Sequence, residues 1–142
     1  MAPQIDPETL DDMHHALGRP KTPNAIPYRN HFVTDAGGDQ ARRFEASGLW
    51  RLTRLINQGR DAVYRVTDEG VAAVRADIAA KRKAEGIRDY RITYRWFDKD
   101  LEDVIAAKSP AAARYALYLN FDDAFSGSFA RFLRIILSVR LA

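Results

Sequence analysis

The run Tyr90-Arg-Ile-Thr-Tyr-Arg-Trp96 most constrains what this chain can become. Successive side chains of a strand point to opposite faces. Tyr90, Ile92, Tyr94 and Trp96 therefore share one face, and Arg91, Thr93 and Arg95 the other. Three large aromatics and an isoleucine on one face call for an apolar cover. The segment after it offers that cover. Ser109-Pro110 is a capping hydroxyl followed by proline in the first helical turn. Ala112, Tyr115, Ala116 and Leu119 fall at helical spacing and predict the core face of that helix. Residues 101–107, beyond a turn at Asp98–Asp100, read as a partner strand. Phe129, Phe132 and Leu133 read as one helical turn, and residues 135–141 as a last strand. The alternative for the aromatic strand is an exposed platform for single-stranded nucleic acid. A helix face in need of a sheet favours burial, which leaves Arg91 and Arg95 on an open face.

The first half has a different grammar. Five of the six prolines lie at or before Pro27. Proline removes a backbone donor and disfavours helix in the residue before it, so residues 18–27 read as an extended loop. Ahead of it, residues 7–17 read as a short helix capped by Asp6, with Leu10, Met13 and Leu17 in phase and Gly18 ending it. The loop as a whole extends over residues 18–38. Within it, Tyr28-Arg-Asn-His-Phe32 reads as an anchor, with Tyr28 and Phe32 packed and Arg29 or Asn30 bonding backbone. Residues 39–47 read as a second short helix, and 49–56 and 62–66 as strands joined through Asn57-Gln-Gly-Arg-Asp61. Thr67 caps a following helix whose apolar stripe is Val71, Val74 and Ile78. Gly86 is the internal boundary: residues 1–86 form one part and residues 87–142 a ββαβ module packed on it.

Composition excludes more than it assigns. The absence of cysteine among 142 residues removes disulfides, thiolate metal sites and a cysteine nucleophile. No uncharged run approaches the roughly 20 residues that cross a bilayer. The start of the chain is neither basic nor apolar, so a cytoplasmic protein is expected. His14 and His15 are helix neighbours about 100° apart and cannot chelate one metal together. No phosphate loop, nucleophile elbow or metalloprotease helix is present. A non-catalytic protein without cofactor is the expectation; an enzyme using His14, His15 or His31 ranks last. The net charge of +3 divides into +1 and +2 between the two parts and decides little, but 17 of the 22 cations are arginine.

Two resemblances add to this reading. Gly48-Leu49 after a helix, then a hairpin, then Tyr64-Arg-Val-Thr-Asp-Glu-Gly70 opening the next helix, resembles the wing and last helix of winged-helix proteins over residues 39–83. That resemblance implies an α+β protein with a winged-helix-like N-terminal part. It makes the helix before Gly48 a recognition helix, with Arg42 and Arg43 facing double-stranded DNA. Arg51, Arg54, Arg60 and Arg65 would then touch phosphate or minor groove from the hairpin. The long loop ahead of that helix, where a winged helix has a support helix, departs from the pattern. The second resemblance rests on His14-His-Ala-Leu-Gly18, Tyr28–Phe32, the hairpin and Val104-Ile-Ala-Ala-Lys-Ser-Pro-Ala-Ala-Ala-Arg-Tyr115. These look like small uncharacterised bacteriophage and prophage proteins, which implies a phage origin and no activity. A protein-binding accessory factor, contacting a host or phage protein or forming a homodimer, is the alternative to DNA binding.

Overall fold

The computed structural model describes residues 4–142, a mixed α+β chain with two small antiparallel sheets. The chain divides into two compact units between Ala80 and Lys81, inside a long helix and ahead of Gly86.

The first unit opens with α1 (Pro7–Ala16), where Asp6 accepts from the Thr9 backbone N–H at 3.0 Å. Strand β1 (Phe32–Asp35) follows within the stretch expected to be loop. Four residues are too few for alternation to announce a strand, and its partner lies some thirty residues downstream, at Tyr64 opposite Phe32. Helix α2 (Asp39–Ser47) ends at Gly48, whose φ of 71° suits glycine. Strands β2 (Trp50–Ile56) and β3 (Asp61–Val66) form the hairpin, and α3 (Asp68–Glu85) follows.

The sheet order is β1-β3-β2, which puts β3 in the middle and explains why Ala62, Val63, Tyr64 and Val66 are all buried. Phe44 of α2 stacks on Trp50, with centroids 3.9 Å apart, and meets Tyr64 and Phe32 edge-on. Met13, Ala16 and Leu17 from the α1 region and Val74 and Ile78 of α3 complete that core. Asn30 holds the loop to the sheet: its side chain both donates to and accepts from the backbone of Val66. Tyr28, expected to pack, is instead exposed, with Arg29 over its ring.

The second unit contains β4 (Arg88–Trp96), β5 (Lys99–Ala107), α4 (Pro110–Phe121), a single 3-10 turn, the one-turn helix α5 (Phe129–Phe132), another 3-10 turn and β6 (Ile136–Leu141). Its sheet order is β5-β4-β6. Tyr90, Ile92 and Tyr94 are buried under α4, as the alternation predicts. Two expectations need correction. The hairpin turns at Phe97-Asp98, because Lys99 already pairs with Trp96. The core face of α4 is Ala113 and Leu117, while Tyr115 and Leu119 are 49% and 56% exposed. Tyr118 and Phe121 pack beside Leu117, against Phe125 and Phe132. The aromatic segment after the helix thus sets which side of α4 turns inward.

Candidate nucleic-acid interface

The six arginines singled out by sequence meet different fates. Arg43 is held: its guanidinium lies 2.9 Å from Glu8 and 3.6 Å from Asp12, both on α1, and Gln40 donates to Asp12 as well. This residue clamps α2 to α1. Arg42 is exposed and reaches back to Asp39 in its own first turn, at 3.3 Å. Helix α2 follows β1 directly, so no support helix joined by a tight turn precedes it.

The hairpin arginines lie together on β2, β3 and their turn. Arg51 and Arg65 are cross-strand partners in the β2–β3 register, and both are exposed. Like charges directly opposite one another are unfavourable unless an anion sits between them. Arg54, beyond a bulge at Thr53, stands opposite Val63. Arg60 sits in the turn, where Asn57, Gln58 and Gly59 all have positive φ and Arg60 donates from Nε to the Asn57 carbonyl. Asp61, the hairpin's one carboxylate, accepts from Asn57. Among the described residues none of Arg51, Arg54, Arg60 or Arg65 is paired with a carboxylate. Four arginines against one acid give residues 50–66 a local excess equal to the whole chain's +3.

The histidines do not converge. His14 lies 2.8 Å from Asp77 of α3. His15 meets Phe32 edge-on and, with His31 and Arg29, lines a cleft of about 260 Å³. Among the described residues no group of three His, Asp or Glu side chains could hold a metal ion. No helix among them is long and apolar enough to cross a membrane.

On the open face of the second sheet, Arg95 pairs with Asp100 at 2.8 Å and Arg91 with Glu102 at 3.5 Å. These are cross-strand pairs between surface groups, worth little energetically. What sequence reasoning missed is the end of β4. Trp96, Phe97 and Phe125 line a cleft together with Arg131 and Arg134. Its only sequence signal is Phe97 in a turn where a polar residue is usual. The chain matches no protein-family model, no curated protein and no solved structure.

Proposed function

We propose that this chain is a small, non-catalytic DNA-binding or regulatory protein of phage origin that grips the duplex backbone through its β2–β3 hairpin. The observation that carries the reading is the facing of Arg51 and Arg65 across the hairpin without a carboxylate for either. Arginines held in register with no internal anion present their donor forks to an external one. Phosphate oxygens spaced along a duplex are such a partner, and contacts of this kind position a protein without reading sequence. Arg54 and Arg60 extend the same charged ribbon. Arg42 can add a contact from α2, whereas Arg43 serves the packing of α2 on α1. The winged-helix resemblance is thereby kept for its wing and narrowed for its recognition helix.

Titrating a fluorescent duplex with the full chain at several salt concentrations tests this. Four phosphate contacts give a slope of log affinity on log salt of about −3 to −4. Arg51→Ala/Arg65→Ala should weaken binding and flatten the slope by about 2. An unchanged slope in that variant removes the hairpin from the interface.

A protein-binding accessory factor is the second reading, and one feature favours it. Strand β2 is an edge of its sheet and leaves Leu52 and Leu55 exposed. An open edge with apolar side chains can pair with a strand of another chain or a second copy. Concentration-dependent dimers lost in Leu55→Arg, with no duplex affinity, would favour it.

A further inference from the structure

The second unit carries a cleft of about 630 Å³ at the end of β4. Its walls include Trp96 and Phe97 from the hairpin, Phe125 from the loop after α4, and Arg131 and Arg134 from the α5 region; no carboxylate lines it. Two features of this place bear on what it could hold. Phe97 is 85% exposed and is the first residue of the β4–β5 turn, at φ 56°. A large apolar side chain in the left-handed region at a hairpin tip bears a backbone cost and a solvation cost together, where glycine or asparagine would bear neither. Arg131 and Arg134, three residues apart, are exposed, and neither is paired with a carboxylate among the described residues. Arg91 and Arg95 of the same unit each have an acidic neighbour, while among the described residues Arg88, Arg114 and Arg140 have none either; what sets Arg131 and Arg134 apart is that they line one cleft with Trp96, Phe97 and Phe125.

We propose that this cleft binds unpaired nucleotides of a single strand, with a base against Phe97 and Trp96 and its phosphate on Arg131 and Arg134. The chemistry is complementary on both counts. Guanidinium forks match phosphate oxygens, and an exposed aromatic ring offers a face on which any base can stack. The volume falls within the range of ligand sites, roughly 300–1,000 Å³, and fits one or two nucleotides. Paired bases are already stacked within the helix and cannot reach Phe97, so the cleft prefers an unpaired strand to a duplex. The site is separate from the hairpin of the first unit and stands whether or not that hairpin binds duplex.

The test uses the full chain and a fluorescein-labelled oligothymidylate, read by anisotropy, with thymidine monophosphate as competitor. Binding is expected, and Phe97→Ala should weaken it about tenfold, the loss of one stacked base. Because Phe97 is exposed, that variant keeps its fold, which its circular dichroism checks. Arg131→Gln/Arg134→Gln should weaken binding further and lower its salt dependence. Arg51→Ala/Arg65→Ala should leave the Phe97-dependent share of oligothymidylate binding in place. The proposal is overturned by no binding, by binding indifferent to the Phe97 and Arg131/Arg134 changes, or by binding abolished through Arg51 and Arg65. Competition by the mononucleotide at equal concentration overturns the strand as ligand in favour of a free nucleotide.

Discussion

Gly70 shows how much a single residue can decide. It opens α3, where Thr67 accepts from its backbone N–H. A Cβ placed there would come within 2.8 Å of the Leu49 carbonyl oxygen, and within 2.5 Å of Val66 and 3.1 Å of Met13. In an exposed helix, alanine would be preferred to glycine by about 1 kcal/mol. Here the backbone of Leu49 cannot yield, so Gly70→Ala should instead destabilise the protein by about 1–3 kcal/mol. A lower urea midpoint with unchanged slope is the expected result. Residue-level legibility was good at this place, because a cap and a glycine three residues on are local chemistry. Two phenols make a second residue-scale prediction. Burial, then the hydrogen bond to Glu45, pushes Tyr64 up from 10.0 to about 12; burial and Asp103 do the same for Tyr94. Both favour the neutral form in the folded state, so their contribution to stability is whole below pH 10 and is lost as pH rises towards 12. Absorbance titration should show two late phenolates, and Tyr64→Phe should remove one of them.

At the scale of elements, α4 separates what periodicity can and cannot tell. Its start was written in Ser109-Pro110, and the Ser109 hydroxyl does accept from Ala112 at 3.0 Å. Its inward face was not, since Ala113/Leu117 and Tyr115/Leu119 are equally apolar stripes. The choice falls to Phe121, Phe125 and Phe132, which collect on the Leu117 side through contacts that no spacing rule contains. Leu117→Ala should cost about 2–5 kcal/mol, whereas Leu119→Ala should stay within about 0.5 kcal/mol; thermal midpoints of the two variants decide the face. Strand β1 is the converse case: four residues, made a strand by pairing with β3. The hairpin lay between these extremes. Its turn residues and arginines were legible, but the register that sets Arg51 opposite Arg65 depends on the bulge at Thr53. The ion pairs of Arg43 are illegible for a related reason, because its partners Glu8 and Asp12 are distant in sequence.

At the scale of the whole molecule, the described residues form two hydrophobic clusters, one drawn from residues between Met13 and Ile78, the other from residues between Tyr90 and Phe132. Segments of such length make small cores, so single large side chains weigh heavily in each. Phe132, fully buried among Tyr118, Phe121 and Phe125, should cost about 3–5 kcal/mol as Phe132→Ala. Charge is organised on the same plan. The first unit gathers four arginines without a carboxylate partner on one hairpin, and the second sets Arg131 and Arg134 beside an aromatic wall, so the net charge of the whole chain reveals neither.

The two tryptophans are divided between the two cores. Trp50 is stacked on Phe44 and shielded, while Trp96 borders the open cleft. The protein thus carries one native optical reporter in each half. Acrylamide should quench the Trp96 share of the emission and spare that of Trp50, so Trp96→Phe should abolish the readily quenched fraction. Melting followed in that variant then records the first half alone, and comparison with the unmodified chain separates the two halves without attaching a dye.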